Sequence, residues 1–175
     1  MRPIRVVITG GPSVGKADVL SRLREKGHSV STHEVGREIY RDFKQRLGRH
    51  LQREDRREYA LAVLEAQVAE YRAHIDGLHF YNRGVPDGVG WERFFGLEPS
   101  PPLLTAIAQH RYDAVFVLDP IDTFEDEGDI AWASEREAQR VHQLIIQGYL
   151  DSGYRPIHVP MDFVDRRVRF VEANL

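Results

Sequence analysis

Short apolar runs alternate with longer amphipathic stretches along the whole chain. Short segments at residues 4–9, 78–81, 114–118 and 155–159 have the length of buried strands, and residues 28–33 form a further strand candidate with a weakly apolar composition. Between them, apolar side chains recur three and four positions apart, which predicts helices over residues 16–26, 34–46, 54–75, 103–110, 134–149 and 164–171. This alternation is typical of a parallel sheet joined by crossover helices. The pattern therefore predicts an α/β fold with a five-stranded parallel sheet and helices on both faces.

Local signals refine several of these elements. Gly27 is expected to cap the end of the first helix. Ser134 with Glu137 three positions later is the signature of a capping box at the start of a helix. Repeated glycine and proline predict a loop without regular structure over residues 84–102. The long third helix is expected to bury one face, formed by Leu61, Leu64, Val68, Tyr71 and Ile75.

Length and composition restrict the class of protein. A chain of 175 residues with 42% apolar and 29% charged residues is typical of one globular domain. It has no apolar run near the ~20 residues of a membrane-spanning helix, and no leader segment precedes the first strand, so we expect a cytoplasmic protein. The absence of cysteine excludes disulfides, thiolate zinc sites and a cysteine nucleophile. A net charge of −3 gives no sign of a nucleic-acid partner.

A glycine-rich segment with one lysine follows the first strand directly. Its glycines allow several backbone N–H groups to converge on one anion, at the positive end of the next helix. The lysine then places a flexible point charge on the terminal phosphates. We predict that this segment binds the phosphates of a nucleotide through Gly10, Gly11, Pro12, Ser13, Val14, Gly15, Lys16, Ala17 and Asp18.

Ala17 is the one departure from the phosphate-loop pattern, which requires Ser or Thr at this position. That hydroxyl normally helps to hold Mg²⁺, which offsets charge in the transition state of phosphoryl transfer. Asp18 is a poor substitute because successive side chains on a helix point ~100° apart. Phosphate binding should tolerate the change better than catalysis. A carboxylate from another strand end could still hold Mg²⁺, so this residue alone does not separate an enzyme from a binder.

Polar residues at the other strand ends should converge on the same edge of the sheet. Glu34 either accepts a proton from a substrate hydroxyl or complements a helix dipole, and Arg37 either binds phosphate or pairs with a nearby acid. Asn82 is neutral and cannot supply the charge that a metal-binding strand end normally provides. Arg83 is a phosphate clamp or a member of a structural ion pair. With Lys16, these residues predict a catalytic set that includes Glu34 and Arg83.

Three further features leave two interpretations each. Asp87 is either a catalytic or metal-binding acid near the third strand or an exposed turn residue. Asp119 ends the clearest strand and precedes a proline, so it is either the magnesium ligand or the start of a turn. The aromatic cluster of Trp91, Phe94 and Phe95 either lines a substrate pocket or packs the loop.

With these residues assembled, the chain resembles a bacterial family of small AAA-type P-loop ATPases with nicotinamide-riboside-kinase-like and TRPL-translocation-defect-like members. The similarity covers nearly the whole length and lies in residues 6–16, 34–37, 80–87, 112–118, 140–142 and 153–160. The resemblance implies a three-layer, kinase-like P-loop NTPase fold. It also implies ATP or GTP as ligand, together with a second substrate that the family leaves poorly defined.

The chain departs from this family at residues that would take part in phosphoryl transfer. The loop ends in Lys16-Ala17 where the family has Lys followed by Ser or Thr, and Asn82 replaces the aspartate that normally closes the third strand. Residues 124–134 are acidic and lack the arginines that the family carries there; the nearest are Arg136 and Arg140. Each loss removes metal or charge compensation from phosphoryl transfer.

Three hypotheses about the function therefore stay open. The first is a nucleotide-binding protein with weak or lost catalysis and a regulatory or partner-binding role. The second is an active small-molecule kinase or NTPase in which Glu34, Asp87 or Asp119 supplies the metal carboxylate. The third is a protein that uses the loop for another anion. The residues favour ATP over GTP only because no guanine-reading Asn-Lys-x-Asp stretch is present.

Overall fold

Five parallel strands form the centre of the molecule in a computed structural model that describes residues 2–121 and 134–175. The order across the sheet is β2-β3-β1-β4-β5, so the first strand is central. Val7 in this strand lies opposite Tyr81 on one side and Val115 on the other. The strands are β1 (Ile4–Thr9), β2 (Ser29–Val30), β3 (Leu78–Asn82), β4 (Ala114–Leu118) and β5 (Ile157–Val159). The predicted five-stranded parallel sheet is confirmed.

Helices cover both faces of the sheet, as the alternating pattern predicts. They are α1 (Lys16–Glu25), α2 (Val35–Leu47), α3 (Arg56–Ala73), α4 (Asp87–Phe94), α5 (Pro101–Gln109), α6 (Glu135–Asp151) and α7 (Val164–Ala173), with a 3-10 turn (Arg53–Asp55) before α3. Alternate side chains of β1 point to opposite faces. Val6 and Ile8 pack with α1 and α7, whereas Val7 packs with α3 to α6. The result is a three-layer α/β fold with a hydrophobic core on each side of the sheet.

The region predicted as an irregular loop, residues 84–102, contains helix α4. This prediction was wrong because its glycines serve close packing instead of breaking the chain. A Cβ atom on Gly90 would lie 2.6 Å from the backbone nitrogen of Ile145 in α6. Two helix backbones can approach this closely only where one of them carries no side chain.

Other element boundaries also differ from the predictions. The second and last strands are shorter than expected and begin at Ser29 and Ile157. Ile75 does not belong to the buried face of α3, since the helix ends at Ala73 and the Ile75 side chain is 76% exposed. Half of the predicted capping box at α6 is present: the Ser134 hydroxyl accepts a hydrogen bond from the backbone N–H of Glu137. The Glu137 carboxylate accepts from the Ser134 hydroxyl instead of from its backbone N–H.

One sequence observation concerns residues that are only partly described. The acidic, arginine-free segment at residues 124–134 lies, apart from Ser134, outside the described residues. Within residues 2–121 and 134–175, no helix combines the length and apolar character needed to cross a membrane.

Candidate functional site

The glycine-rich segment connects β1 to α1 at the carboxyl end of the central strand. Gly15 precedes the first residue of the helix and has a φ of 78°, a left-handed conformation that glycine adopts without strain. The chain therefore turns directly from a buried strand into a helix N-terminus. Unpaired N–H groups and the positive end of the helix dipole at such a point favour an anion.

Lys16 is the first residue of α1 and is buried beside the loop that precedes it. Its ammonium group donates to the carbonyl oxygen of Gly11 at 2.8 Å and lies 3.5 Å from that of Gly10. Burial and the nearby charge of Arg83 lower the pKa of Lys16 to about 7, although Glu34 acts in the opposite direction. The pKa of this lysine therefore lies well below that of an exposed lysine.

Arg83 directly follows β3 and has a left-handed conformation with φ 72°. Its guanidinium donates to Glu34 at 2.6 Å, to Asp87 at 3.0 Å and to the carbonyl oxygen of Gly10 at 2.8 Å. Burial opposes this charge, but Glu34 and Asp87 outweigh it and raise the pKa of Arg83. The structural ion pair expected for this arginine is therefore present, and it ties β3 to the glycine-rich loop.

Glu34 lies at the start of α2 and faces the same cluster of charges. Burial alone would raise the pKa of the Glu34 carboxyl, but the positive charges of Arg83 and Lys16 outweigh it and lower the pKa to about 2. The carboxylate is therefore ionised at neutral pH. One of its oxygens is bonded to Arg83 at 2.6 Å.

Asp87 begins α4 and is 1% exposed, so its interpretation as an exposed turn residue was wrong. Its carboxylate accepts hydrogen bonds from the Thr9 hydroxyl at 2.6 Å, the Tyr149 hydroxyl at 2.5 Å and the Gly84 N–H at 3.0 Å, besides the bond from Arg83. Four donors surround two oxygens. Asp87 is thus a buried acid whose hydrogen bonds join β1, the turn after β3, α4 and α6.

The described residues offer few ligands for Mg²⁺. Ala17 offers a methyl group, Asp87 is already surrounded by donors, and Asp119, the predicted metal ligand, accepts a hydrogen bond from His158 at 3.0 Å. Asn82 supplies only a neutral amide oxygen. Among residues 2–121 and 134–175, no group of three or more His, Asp or Glu side chains is arranged to hold a metal ion.

Two depressions in the surface meet at the charged residues around Lys16 and Glu34. The first runs along the loop from Ser13 to Asp18 and onto the start of α1. The second lies between α2, α3 and α4. Both are lined by Lys16, Glu34, Arg37 and Asn82. A ligand in one depression would therefore touch the same charged residues as a ligand in the other.

The second depression is lined by aromatic and amide side chains. Trp91 and Phe95 line it, as one of the two interpretations expected, whereas Phe94 packs against the core on the Val7 side of the sheet. Tyr59 and Gln67 of α3 also line it. Sequence reasoning missed these two because they look like ordinary positions on a long helix, and only the packing of α3 beside α4 brings them to the site.

His142 of α6 is another residue that the sequence did not reveal. Its Nδ1 accepts a hydrogen bond from the N–H of Gly11 at 3.0 Å. Burial lowers the pKa of His142 to about 4, so the ring is neutral and able to accept at physiological pH. A Cβ atom on Gly11 would lie 2.8 Å from that of His142, so the glycine is required for this contact.

The fold and the loop define a kinase-like P-loop α/β protein. The chain is similar to the family described as an AAA domain over residues 5–167, and it belongs to that family. This confirms the resemblance found in the sequence. No curated protein matches the chain.

Solved structures of nucleotide and nucleoside kinases share the fold. A NadR protein in complex with NAD and AMP-PNP has 14% identity and a TM-score of 0.70, covering 98% of this chain and 48% of its own. Deoxyadenosine kinase from M. mycoides with bound dATP has 12% identity and a TM-score of 0.64, covering 98% of both chains. Thymidylate kinase from Candida albicans has 13% identity and a TM-score of 0.66, covering 99% of this chain and 92% of its own. The chain spans about half the length of the NadR protein.

Proposed function

We propose that the chain binds the phosphates of ATP, or of GTP, through residues 10–18, with weak or lost phosphoryl transfer and a regulatory or partner-binding role. The observation that carries the proposal is a formed phosphate loop beside Ala17 and Asn82, which stand where the family pattern has a hydroxyl and a carboxylate. Anion binding needs only the loop, the helix N-terminus and Lys16. Efficient phosphoryl transfer also needs charge compensation at the transferred group.

The loop is held in shape by two side chains from other parts of the fold, which supports binding that does not depend on a metal. Arg83 binds the carbonyl oxygen of Gly10, and His142 binds the N–H of Gly11. One peptide group is thus fixed at both its oxygen and its nitrogen. A loop that is already ordered loses less conformational freedom when an anion binds.

A second candidate function is an active small-molecule kinase, and the aromatic depression favours it. Glu34 is ionised and lies where the two depressions meet, so it could accept a proton from a hydroxyl group of a second substrate. Trp91 and Phe95 would contact a planar ring. Its weak point is the low pKa of Glu34, since a strongly acidic carboxyl is a poor base.

Calorimetric titration with ATP and with GTP, each with excess Mg²⁺ and with EDTA, tests the two candidates. The proposal predicts equal affinity with and without EDTA, and no release of the γ-phosphate over hours. Binding that requires Mg²⁺, with turnover, supports the kinase instead. Lys16→Met is the control for the site and should lose binding.

Restoration of the family residues provides a second test. Ala17→Thr with Asn82→Asp would return an oxygen ligand and a carboxylate to the positions where the family has them. We expect this double variant to gain magnesium-dependent hydrolysis that the parent lacks. A variant that binds ATP and still shows no hydrolysis would place the loss of catalysis elsewhere in the site.

A further inference from the structure

A buried arginine packs against the phosphate loop just before the start of α1. Arg167 of α7 is 2% exposed. Its Nη1 donates to the carbonyl oxygen of Val14 at 2.7 Å, and its Nη2 donates to that of Asp119 at 2.8 Å and to that of Val159 at 3.5 Å. The guanidinium therefore joins the loop to the ends of β4 and β5.

The contact with Val14 fixes the orientation of one peptide group in the loop. The carbonyl of Val14 and the N–H of Gly15 belong to the same planar, trans peptide, so they point in opposite directions. Arg167 holds the Val14 oxygen on its own side of the loop. The Gly15 N–H is therefore directed to the opposite side of the loop, where an anion would lie. The positive charge of Arg167 next to this oxygen also polarises the peptide and makes its N–H a stronger hydrogen-bond donor.

The glycine at this position allows the arginine to come so close. A Cβ atom on Gly15 would lie 3.3 Å from Nη1 of Arg167, and φ of Gly15 is 78°. Loop and arginine thus form one closely packed unit.

The charge of Arg167 is buried without a carboxylate in hydrogen-bond contact. Within the described parts of the chain, its hydrogen bonds all go to main-chain oxygens. Burial lowers the pKa of Arg167, with Asp119 and Asp162 acting in the opposite direction from a distance. A guanidinium stays protonated even so. Its positive charge is therefore available to a polyphosphate bound on the other side of the loop.

We propose that Arg167 is a positioning residue for polyphosphate binding, which fixes the Val14–Gly15 peptide and supplies a buried positive charge in place of metal charge compensation. This inference rests on the proposed function. It adds a residue outside the family motifs that the sequence analysis identified. Loss of a charge-assisted contact of this kind is expected to weaken binding roughly 10- to 100-fold.

The test uses inorganic tripolyphosphate and orthophosphate as probes in calorimetric titrations of the full chain. Arg167→Gln keeps a donor for Val14 but removes the charge, and Arg167→Lys keeps the charge. Arg169→Gln on the exposed side of the same helix is the matched control. We expect Arg167→Gln to lose roughly 10- to 100-fold in tripolyphosphate affinity and less for orthophosphate, because the electrostatic contribution grows with ligand charge. Arg167→Lys should lose less affinity than Arg167→Gln, because it keeps the charge although an ammonium cannot reproduce the forked hydrogen bonds of the guanidinium. Arg169→Gln, on the exposed surface, should stay within about threefold of the parent.

The outcomes separate this inference from the proposed function. If the folded parent does not bind tripolyphosphate, the proposed function itself fails. If the parent binds and Arg167→Gln binds equally well, or if Arg167→Lys loses as much as Arg167→Gln, the role of the charge is overturned and the proposed function stands. A uniform loss for both probes would show a merely structural role.

A measurement on the unaltered chain covers the case in which Arg167→Gln does not fold. Saturation of ¹⁵N-labelled parent with tripolyphosphate should shift the resonances of the Gly15 N–H and of the Arg167 guanidinium, and leave those of Arg169 in place. A saturated sample in which neither Gly15 nor Arg167 shifts would overturn the inference.

Discussion

Replacement of Asp87 by asparagine is expected to destabilise the chain strongly while keeping the shape of the side chain. The Asp87 carboxylate accepts from four donors, and one of them, Arg83, is itself buried. Asparagine has only one acceptor oxygen, and its NH₂ group would face a donor. Removal of one partner from a buried ion pair costs about 3–5 kcal/mol, because the other charge stays buried. Glu34 still pairs with Arg83, so we expect about 3 kcal/mol, the lower end of that range.

Urea and thermal unfolding measure this effect directly. For a chain of this length, about 3 kcal/mol corresponds to a fall in Tm of roughly 6–12 °C. Asp165→Asn is the matched control, since Asp165 pairs with Arg22 at 2.6 Å on the exposed surface, and such pairs contribute about 1 kcal/mol or less.

A fall of less than about 1 kcal/mol in the free energy of unfolding of Asp87→Asn would contradict the stabilising role of the Asp87 carboxylate. It would mean that the four hydrogen bonds contribute little in the folded protein, and that Asp87 is available for a catalytic role after all. A double-mutant cycle with Tyr149→Phe would then show which of the contacts had been overestimated.

Three further predictions follow from individual contacts. Gly90→Ala should destabilise the chain by about 1–3 kcal/mol in the same unfolding assay, because the new Cβ atom would lie 2.6 Å from the backbone nitrogen of Ile145 in α6. Gly36→Ala is the control and should be tolerated, because its Cβ atom would meet only the Tyr59 hydroxyl at 3.4 Å. The affinity for ATP should fall between pH 7.5 and 9, because Lys16 with its pKa of about 7 must gain a proton to bind phosphate; a flat calorimetric profile would contradict this. Stability should fall as the pH drops from 6.5 towards 4, because His142 titrates near 6.5 when unfolded and at about 4 when folded, and His142→Gln should make that fall shallower.

The sheet and the phosphate loop could be predicted because their signals are local. Buried strands such as β1 and β4 are continuous apolar runs, and the loop combines glycines with a lysine directly after a strand. Helix α4 was missed because Gly88 and Gly90 look like helix breakers until a second helix packs against them. In sequence, a glycine that breaks a helix and one that permits close packing look the same.

The residues behind the loop could not be predicted because they are distant in sequence. Arg167 lies 153 positions from Val14, and His142 lies 131 positions from Gly11. On their own helices they look like any arginine and histidine. Asp87 was ambiguous for a similar reason, since its burial depends on Tyr149 of α6. The site residues that directly follow the strands were thus predicted from the sequence, whereas those contributed by α6 and α7 were missed.

The most direct test of the central claim is a calorimetric titration of the parent with ATP in EDTA, beside the same titration of Lys16→Met. We expect saturable binding to the parent that excess Mg²⁺ does not strengthen, and none to the variant, because the loop and the Lys16 ammonium hold the phosphates without a metal. Absence of binding to the folded parent, or binding that appears only with Mg²⁺, would contradict it.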